Sequence, residues 1–284
     1  MPAALHTLGL RTPPLTPPAE RLRTRPLPPH LAALRDRLGL SGRDWGTMPF
    51  GDARVDGCLP GGGIPLGHLH EIGAAALEAE TGACTAGFVA GLLARLPSSR
   101  PILWIAPCAD LHPPGLLAYG LDPGRLIFVS PRDQAGTLGA MEAGLSAGGL
   151  AAVVGEIGRL GRLASHRLQF ACLRSGITGF ALRRWPHGGR EPDREATVVA
   201  TRWTLAPAPS QAAHQGPQFA CELGARHEPG PPRWRVALTH ARGGRGGEWI
   251  LELPTEVDGA PLAFRVVAEL ADDAAAPPAR ARAG

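Results

Sequence analysis

Lysine is missing from all 284 residues, so every side-chain cation other than histidine is an arginine. That absence excludes a standard phosphate loop, G-x-x-x-x-G-K-[ST], in which a lysine reaches the β- and γ-phosphates and a hydroxyl holds Mg²⁺. Aromatic residues are scarce, at 5%. The five cysteines, Cys58, Cys84, Cys108, Cys172 and Cys221, form no C-x-x-C pair and no Cys/His group with metal-ligand spacing. Four of them sit in or beside apolar runs, where a reduced thiol packs as a small hydrophobe. No cofactor and no metal is expected. No apolar run approaches the roughly 18 residues of a membrane span, and the N-terminus lacks the basic-then-apolar design of a signal peptide. The expectation is a cytoplasmic protein that engages no membrane. A net charge of +4 is too small to argue for nucleic acid by itself.

What is present is enough apolar surface for a large core, with 44% hydrophobic residues. Glycine (38) and proline (30) concentrate at the ends and between apolar runs, where they punctuate the chain. Residues 1–29 contain "RTPPLTPPAERLRTRPLPP" and read as a disordered proline-rich arm; residues 271–284, "ADDAAAPPARARAG", read as a disordered tail. Between them, residues 30–270 are expected to form one domain. It opens with a short helix across His30–Leu38, where Leu31, Leu34 and Leu38 share a face.

From His68 onward, strands without charges alternate with helical patterns. Strands are expected at 68–72, 101–106, 125–130, 150–154 and 179–185. Helices are expected over the run from Phe88 to Leu96, in "GLLAYG", in "AGTLGAMEAGLSAG" and at 162–176. This order predicts a mostly parallel sheet covered on both faces. After about residue 195 four β-rich runs follow one another without helices, which predicts an antiparallel extension of the same sheet. Whether that extension is a separate lobe is left open.

The stretch "GHLHEIGAAALEAETGACTAGFVAGLLARL" has the order strand, glycine-spaced turn, apolar helix. A phosphate-binding nest needs consecutive backbone N–H groups at a helix N-terminus. Gly73, Gly82 and Gly87 supply glycines for such a loop, but Phe88 stands where the lysine belongs and Val89 where the hydroxyl belongs. Phe88 is expected to set an apolar ring beside the phosphate position. At the acidic strand end that would position Mg²⁺, Gly155 stands in for the aspartate, and Glu156, one residue later, points to the other side of its strand. The strand at 101–106 carries no carboxylate until Asp110 beyond its end, with Cys108 near the place of a water-activating glutamate. These residues describe a degenerate nucleotide site and no catalysis.

"DGCLPGGGIPLGHLHEIG" (Asp56–Gly73) and "LLAYGLDPGRLIFVSP" (Leu116–Pro131) resemble the core of RecA/RadA-type recombinases. "LQFACLRSGITGFALRRW", "ATRWTLAPAPS" and "PRWRVALTHARGGRGGEWILEL" are similar to one divergent branch, the ImuA family, over about residues 45–255. The resemblance implies a RecA-like P-loop-type α/β three-layer sandwich, a mostly parallel sheet with antiparallel C-terminal strands. It implies a non-catalytic adaptor in SOS-induced, error-prone translesion DNA synthesis. The implied partners are an ImuB-type inactive relative of Y-family polymerases and an error-prone replicative-type polymerase, with RecA and single-stranded DNA as further candidates. Three alternatives stay open: a DNA-dependent ATPase with arginine in place of lysine, an SOS cell-division inhibitor, and a single-strand-binding protein.

Two arginine-bearing segments are candidate DNA or partner contacts. "RRWPHGGREPDREA" leaves a strand at its C-terminal end, where Arg183, Arg184, Arg190 and Arg194 would meet phosphates and Trp185 would stack on a base. Glu191, Asp193 and Glu195 nearly cancel that charge, so a solvated loop is the competing reading. "THARGGRGGEW" places Arg242 and Arg245 among glycines between two strands, either as a contact or as a flexible hairpin connection. His68 and His70 flank Leu69 on one strand face, with no third ligand in view, and are expected to pack.

Overall fold

The apolar-rich runs between the glycine- and proline-rich turns pair into a single nine-stranded sheet in a computed structural model. It describes residues 44–75, 78–184, 197–210, 230–254 and 262–270. The arm, the helix expected across His30–Leu38, the C-terminal tail, Trp185, Arg190, Arg194 and Cys221 lie outside the described residues.

Two short strands, β1 (Thr47–Met48) and β2 (Ile64–Pro65), pair with each other, and a one-turn helix α1 (Ala53–Asp56) lies between them. The main sheet follows: β3 (Leu69–Ala74), helix α2 (Glu78–Ala94), β4 (Ile102–Ile105), a 3₁₀ segment (Pro113–Tyr119) and β5 (Leu126–Val129). Then come α3 (Gln134–Ala147), β6 (Ala152–Ile157), α4 (Arg162–Ser175), β7 (Thr178–Arg183), β8 (Thr201–Ala208), β9 (Arg233–Ala241), β10 (Gly247–Glu252) and β11 (Arg265–Glu269). The spatial order is β11-β10-β9-β8-β3-β7-β6-β4-β5. The six strands from β8 to β5 are parallel to their neighbours, and β9, β10 and β11 continue antiparallel from β8. The C-terminal strands are therefore part of the same sheet, as their lack of intervening helical patterns predicted.

Period-two alternation divides the side chains between two cores, giving a three-layer α/β sandwich. On one face Ile72, Val154, Phe180, Leu182, Trp203 and Leu205 pack against α2. On the other, Leu69, Val153, Ile157 and Ala181 pack against α3 and α4 through Met141, Leu145, Leu168 and Cys172. Helix α2 is apolar over most of its surface: Phe88, Val89, Ala90, Leu92 and Leu93 are all buried. Phe88 lies in an aromatic cluster with Phe50, Trp203, Trp234 and Phe264, at ring separations of 5.1–6.3 Å. Among the described residues no helix is long and apolar enough to cross a membrane.

Candidate functional site

In an open parallel sheet, ligands bind beyond the C-terminal ends of the strands. Here that edge brings charged side chains together on both faces of the sheet.

On the α3/α4 face the centre is Glu71, the one carboxylate in β3. Its side chain is 7% exposed. Arg183, at the end of β7, donates from Nη1 to Glu71 Oε1 at 2.7 Å and from Nε to the Gly158 carbonyl at 3.0 Å. Arg202 of β8 donates from Nε to Glu71 Oε2 at 2.9 Å, and the Thr197 hydroxyl donates to the same oxygen at 2.8 Å. A carboxylate in a central strand is costly unless paired and hydrogen-bonded, and β7 and β8, the two neighbours of β3, both supply a cation.

On the α2 face the centre is Glu156 of β6. Its Oε1 accepts from Trp104 Nε1 at 2.8 Å, and its Oε2 from Arg184 Nη1 at 2.7 Å. Arg184 also makes a forked pair with Asp110, at 2.8 and 3.1 Å. Burial pushes the Glu156 carboxyl above the usual range, against the pull of Arg184 and Trp104. The hydrogen bond from Arg184 holds Asp110 below it.

Chemically these groups are closed on themselves. Arg183 is committed to Glu71, and Arg184 to Glu156 and Asp110. A polyphosphate at this edge would have to displace three carboxylates from two arginines whose side chains are 7% and 10% exposed. Charge-assisted hydrogen bonds of this kind contribute about 1.5–3 kcal/mol each, so the exchange brings no evident gain.

Several expected positions are corrected. Gly82 and Gly87 are not in a loop: both lie inside α2, and β3 ends at Ala74, only a few residues before Glu78. The helix-forming residues of "EAETGACTAGFVAGLLA" carry the glycines, each costing about 1 kcal/mol, because the helix packs against the sheet. Gly87 has a packing reason: a Cβ there would fall 2.6 Å from the Tyr119 ring. Gly73 is a strand residue opposite both Arg183 and Thr204. Phe88 and Val89 are core residues well inside the helix, so the Phe88 ring does not stand at a phosphate position.

Gly155 and Glu156 do face opposite sides of β6. Gly155 faces α3, where a Cβ would lie 2.1 Å from Met141 Sδ, so an aspartate would require Met141 to move. Arg183, expected at DNA phosphates, is instead 6% exposed and paired inside the sheet, because β7 lies beside β3 and brings it to the buried Glu71 carboxylate. Arg184 is likewise turned inward. Arg242 and Arg245 are exposed on the β9–β10 hairpin. That hairpin is not a free connection: the backbone N–H of Arg242 donates to the Ala200 carbonyl at 2.8 Å and that of Arg245 to Cys58 at 2.9 Å. Ala200 precedes β8, so these arginines lie at the opposite edge of the sheet from Arg183 and Arg184, and the two pairs make no common surface.

His70 packs, as expected. It is fully buried, with Nδ1 against the Thr201 hydroxyl at 2.7 Å and Nε2 against the Pro65 carbonyl at 2.9 Å. Burial pushes the Cys84 and Cys172 thiols up to about 12, in keeping with packed, inert cysteines.

In the sequence Glu71 reads only as negative charge close to the expected phosphate loop, and Arg202, Thr197 and Trp104 carry no mark of their own. The signal that marks Glu71 is its place in the buried strand "LHEIGA": a charge there demands a cation from a neighbouring strand.

No family model matches the chain. It is 44% identical over 245 residues to Protein ImuA of Caulobacter vibrioides, strain NA1000 / CB15N, covering 84% of this chain and 96% of that protein. Protein ImuA of strain ATCC 19089 gives the same figures. Among solved structures, SulA from Pseudomonas aeruginosa is 22% identical, with a TM-score of 0.36, over 41% of this chain and 98% of that one.

Proposed function

The chain belongs to the ImuA family, the accessory proteins of a damage-inducible mutagenesis cassette, and from that premise we propose that it is a non-catalytic, RecA-like adaptor in error-prone translesion DNA synthesis. In this role it helps assemble or locate a mutagenic polymerase complex. Its partners are an ImuB-type inactive polymerase relative and an error-prone replicative-type polymerase, with RecA as a further contact.

The observation that carries the non-catalytic part is the closure of the strand-end edge. Among the described residues, Arg183 and Arg184 are the cations at the C-terminal end of β7, and both are held by buried carboxylates. The chain has no lysine to take their place. Gly82 and Gly87, which a phosphate nest would need in extended or left-handed turns, are helical. What is left is a folded body with outward surfaces, which suits docking rather than turnover.

Co-purification with the ImuB-type protein of the same cassette tests the adaptor reading. A stoichiometric complex at micromolar concentration is expected. Two separately eluting, folded proteins at that concentration would remove the reading.

A further inference from the structure

Helices α3 and α4 cover one face of the sheet and present their own outer surface to solvent. On α4, Leu163, Arg167, Phe170 and Arg174 follow the spacing i, i+4, i+7, i+11, which sets them on one stripe. Leu163 is 75% exposed and Phe170 36% exposed, two of the few large apolar side chains left in water. At 1.5 Å per residue they stand about 10.5 Å apart, two helical turns. Beside the stripe runs a groove of about 270 Å³ between the helices, lined by Ala135, Leu138, Gly139, Ala164, Arg167 and Leu168. Its α3 wall is low, because Ala135 and Gly139 carry almost no side chain; a Cβ at Gly139 would meet nothing within 4 Å.

The charge on this surface is mostly positive, with Glu142 at the groove as its one carboxylate on the two helices. Helix α4 carries Arg162, Arg167 and Arg174 with no carboxylate, and Arg159 is exposed just before it. The one carboxylate on α3 is Glu142, bound to Arg167 at 2.5 Å.

We infer that the α4 stripe and the α3–α4 groove dock an acidic amphipathic helix of the partner polymerase relative, with two apolar anchors seated by Leu163 and Phe170 and flanking carboxylates meeting the arginines. This deepens the adaptor reading and rests on it. Helix-in-groove recognition uses apolar anchors at i, i+3, i+4 or i+7, the spacing that Leu163 and Phe170 present. The low α3 wall lets a third helix approach closely. A nucleic acid fits the apolar part less well: the Arg174 guanidinium lies over the Phe170 ring at 5.7 Å, covering a face that a base would stack on.

The test measures the affinity of the full chain for the ImuB-type partner with the variants Leu163→Glu, Phe170→Glu and Gly139→Gln. All three positions are exposed, and Gly139→Gln replaces a helical glycine with a better helix former, so folded variants are expected, with Gly139→Gln melting no lower than the native chain. Each should weaken the complex at least tenfold, and Arg167→Glu should weaken it and reduce its salt dependence. A wild-type complex that all four variants leave unchanged would overturn the docking surface while sparing the adaptor reading. Loss of oligothymidylate binding with the partner complex intact would assign the face to nucleic acid and overturn it too. Absence of any wild-type complex removes the adaptor reading, and this inference with it.

Discussion

Glu71 and Arg183 lie on neighbouring parallel strands and meet in a buried ion pair of 2.7 Å, with Arg202 holding the other carboxylate oxygen from the opposite neighbour. This arrangement ties β7, β3 and β8 together within the sheet, with Arg183 reaching back from the C-terminal end of β7. The three strands were legible as strands from their apolar runs. The pairing was not, because it joins residues 112 and 131 positions apart.

Removing one partner of a buried pair is costly because the other charge stays behind. Glu71→Ala is therefore expected to destabilise the protein by about 3–5 kcal/mol in urea unfolding. Exchanging Glu71 and Arg183 together for methionine should cost less, the penalty that stays being Arg202, 20% exposed, left without its carboxylate. Equal losses for the single and double variants would mean that the pair is not the interaction that matters.

Gly87 distinguishes a packing glycine from a phosphate-loop glycine. Gly87→Ala gains up to about 1 kcal/mol of helix propensity but drives a methyl into the Tyr119 ring. Tyr119→Ala should relieve that contact, so Gly87→Ala is expected to be more favourable in the Tyr119→Ala background than in the native chain. Thermal melts of the four proteins read this directly, and additive effects would contradict the packing assignment.

Burial holds the His70 imidazole down at about 3, from an ordinary value of 6.5. Between those values the unfolded chain binds a proton that the folded chain does not, so stability falls as pH falls through that window. At about 1.4 kcal/mol per pH unit, lowering the pH from 6.5 to 5 should cost roughly 2 kcal/mol from this group. The neighbouring His68 adds to the depression, and Glu156, whose carboxyl is raised, works in the opposite direction. Comparing native and His70→Gln proteins isolates the histidine: the variant should show a flatter stability profile between pH 7 and 5. Parallel profiles would show that His70 takes up its proton equally in the folded and the unfolded chain.

The strand and helix order was readable from Ile72 to Phe264 because apolar periodicity and turn residues are local signals. The phosphate-loop reading failed at Gly82 and Gly87 for the complementary reason. Glycine spacing says where a turn is possible, whereas the surrounding Ala, Glu and Leu residues and the aromatic core around Phe88 decide that the segment is a helix. Arg183 and Arg184 read as an outward basic pair because Glu71, Asp110 and Glu156, their partners, lie on three other segments.

Arg183 and Arg184 are held by this chain's own carboxylates, and a nucleotide is expected to find no cation there. Isothermal titration of the purified chain with ATP and Mg²⁺ is the decisive measurement. No saturable heat is expected up to about 1 mM ATP, a limit near −4 kcal/mol. Saturable binding tighter than about 10 μM, abolished by Arg184→Ala, would contradict it.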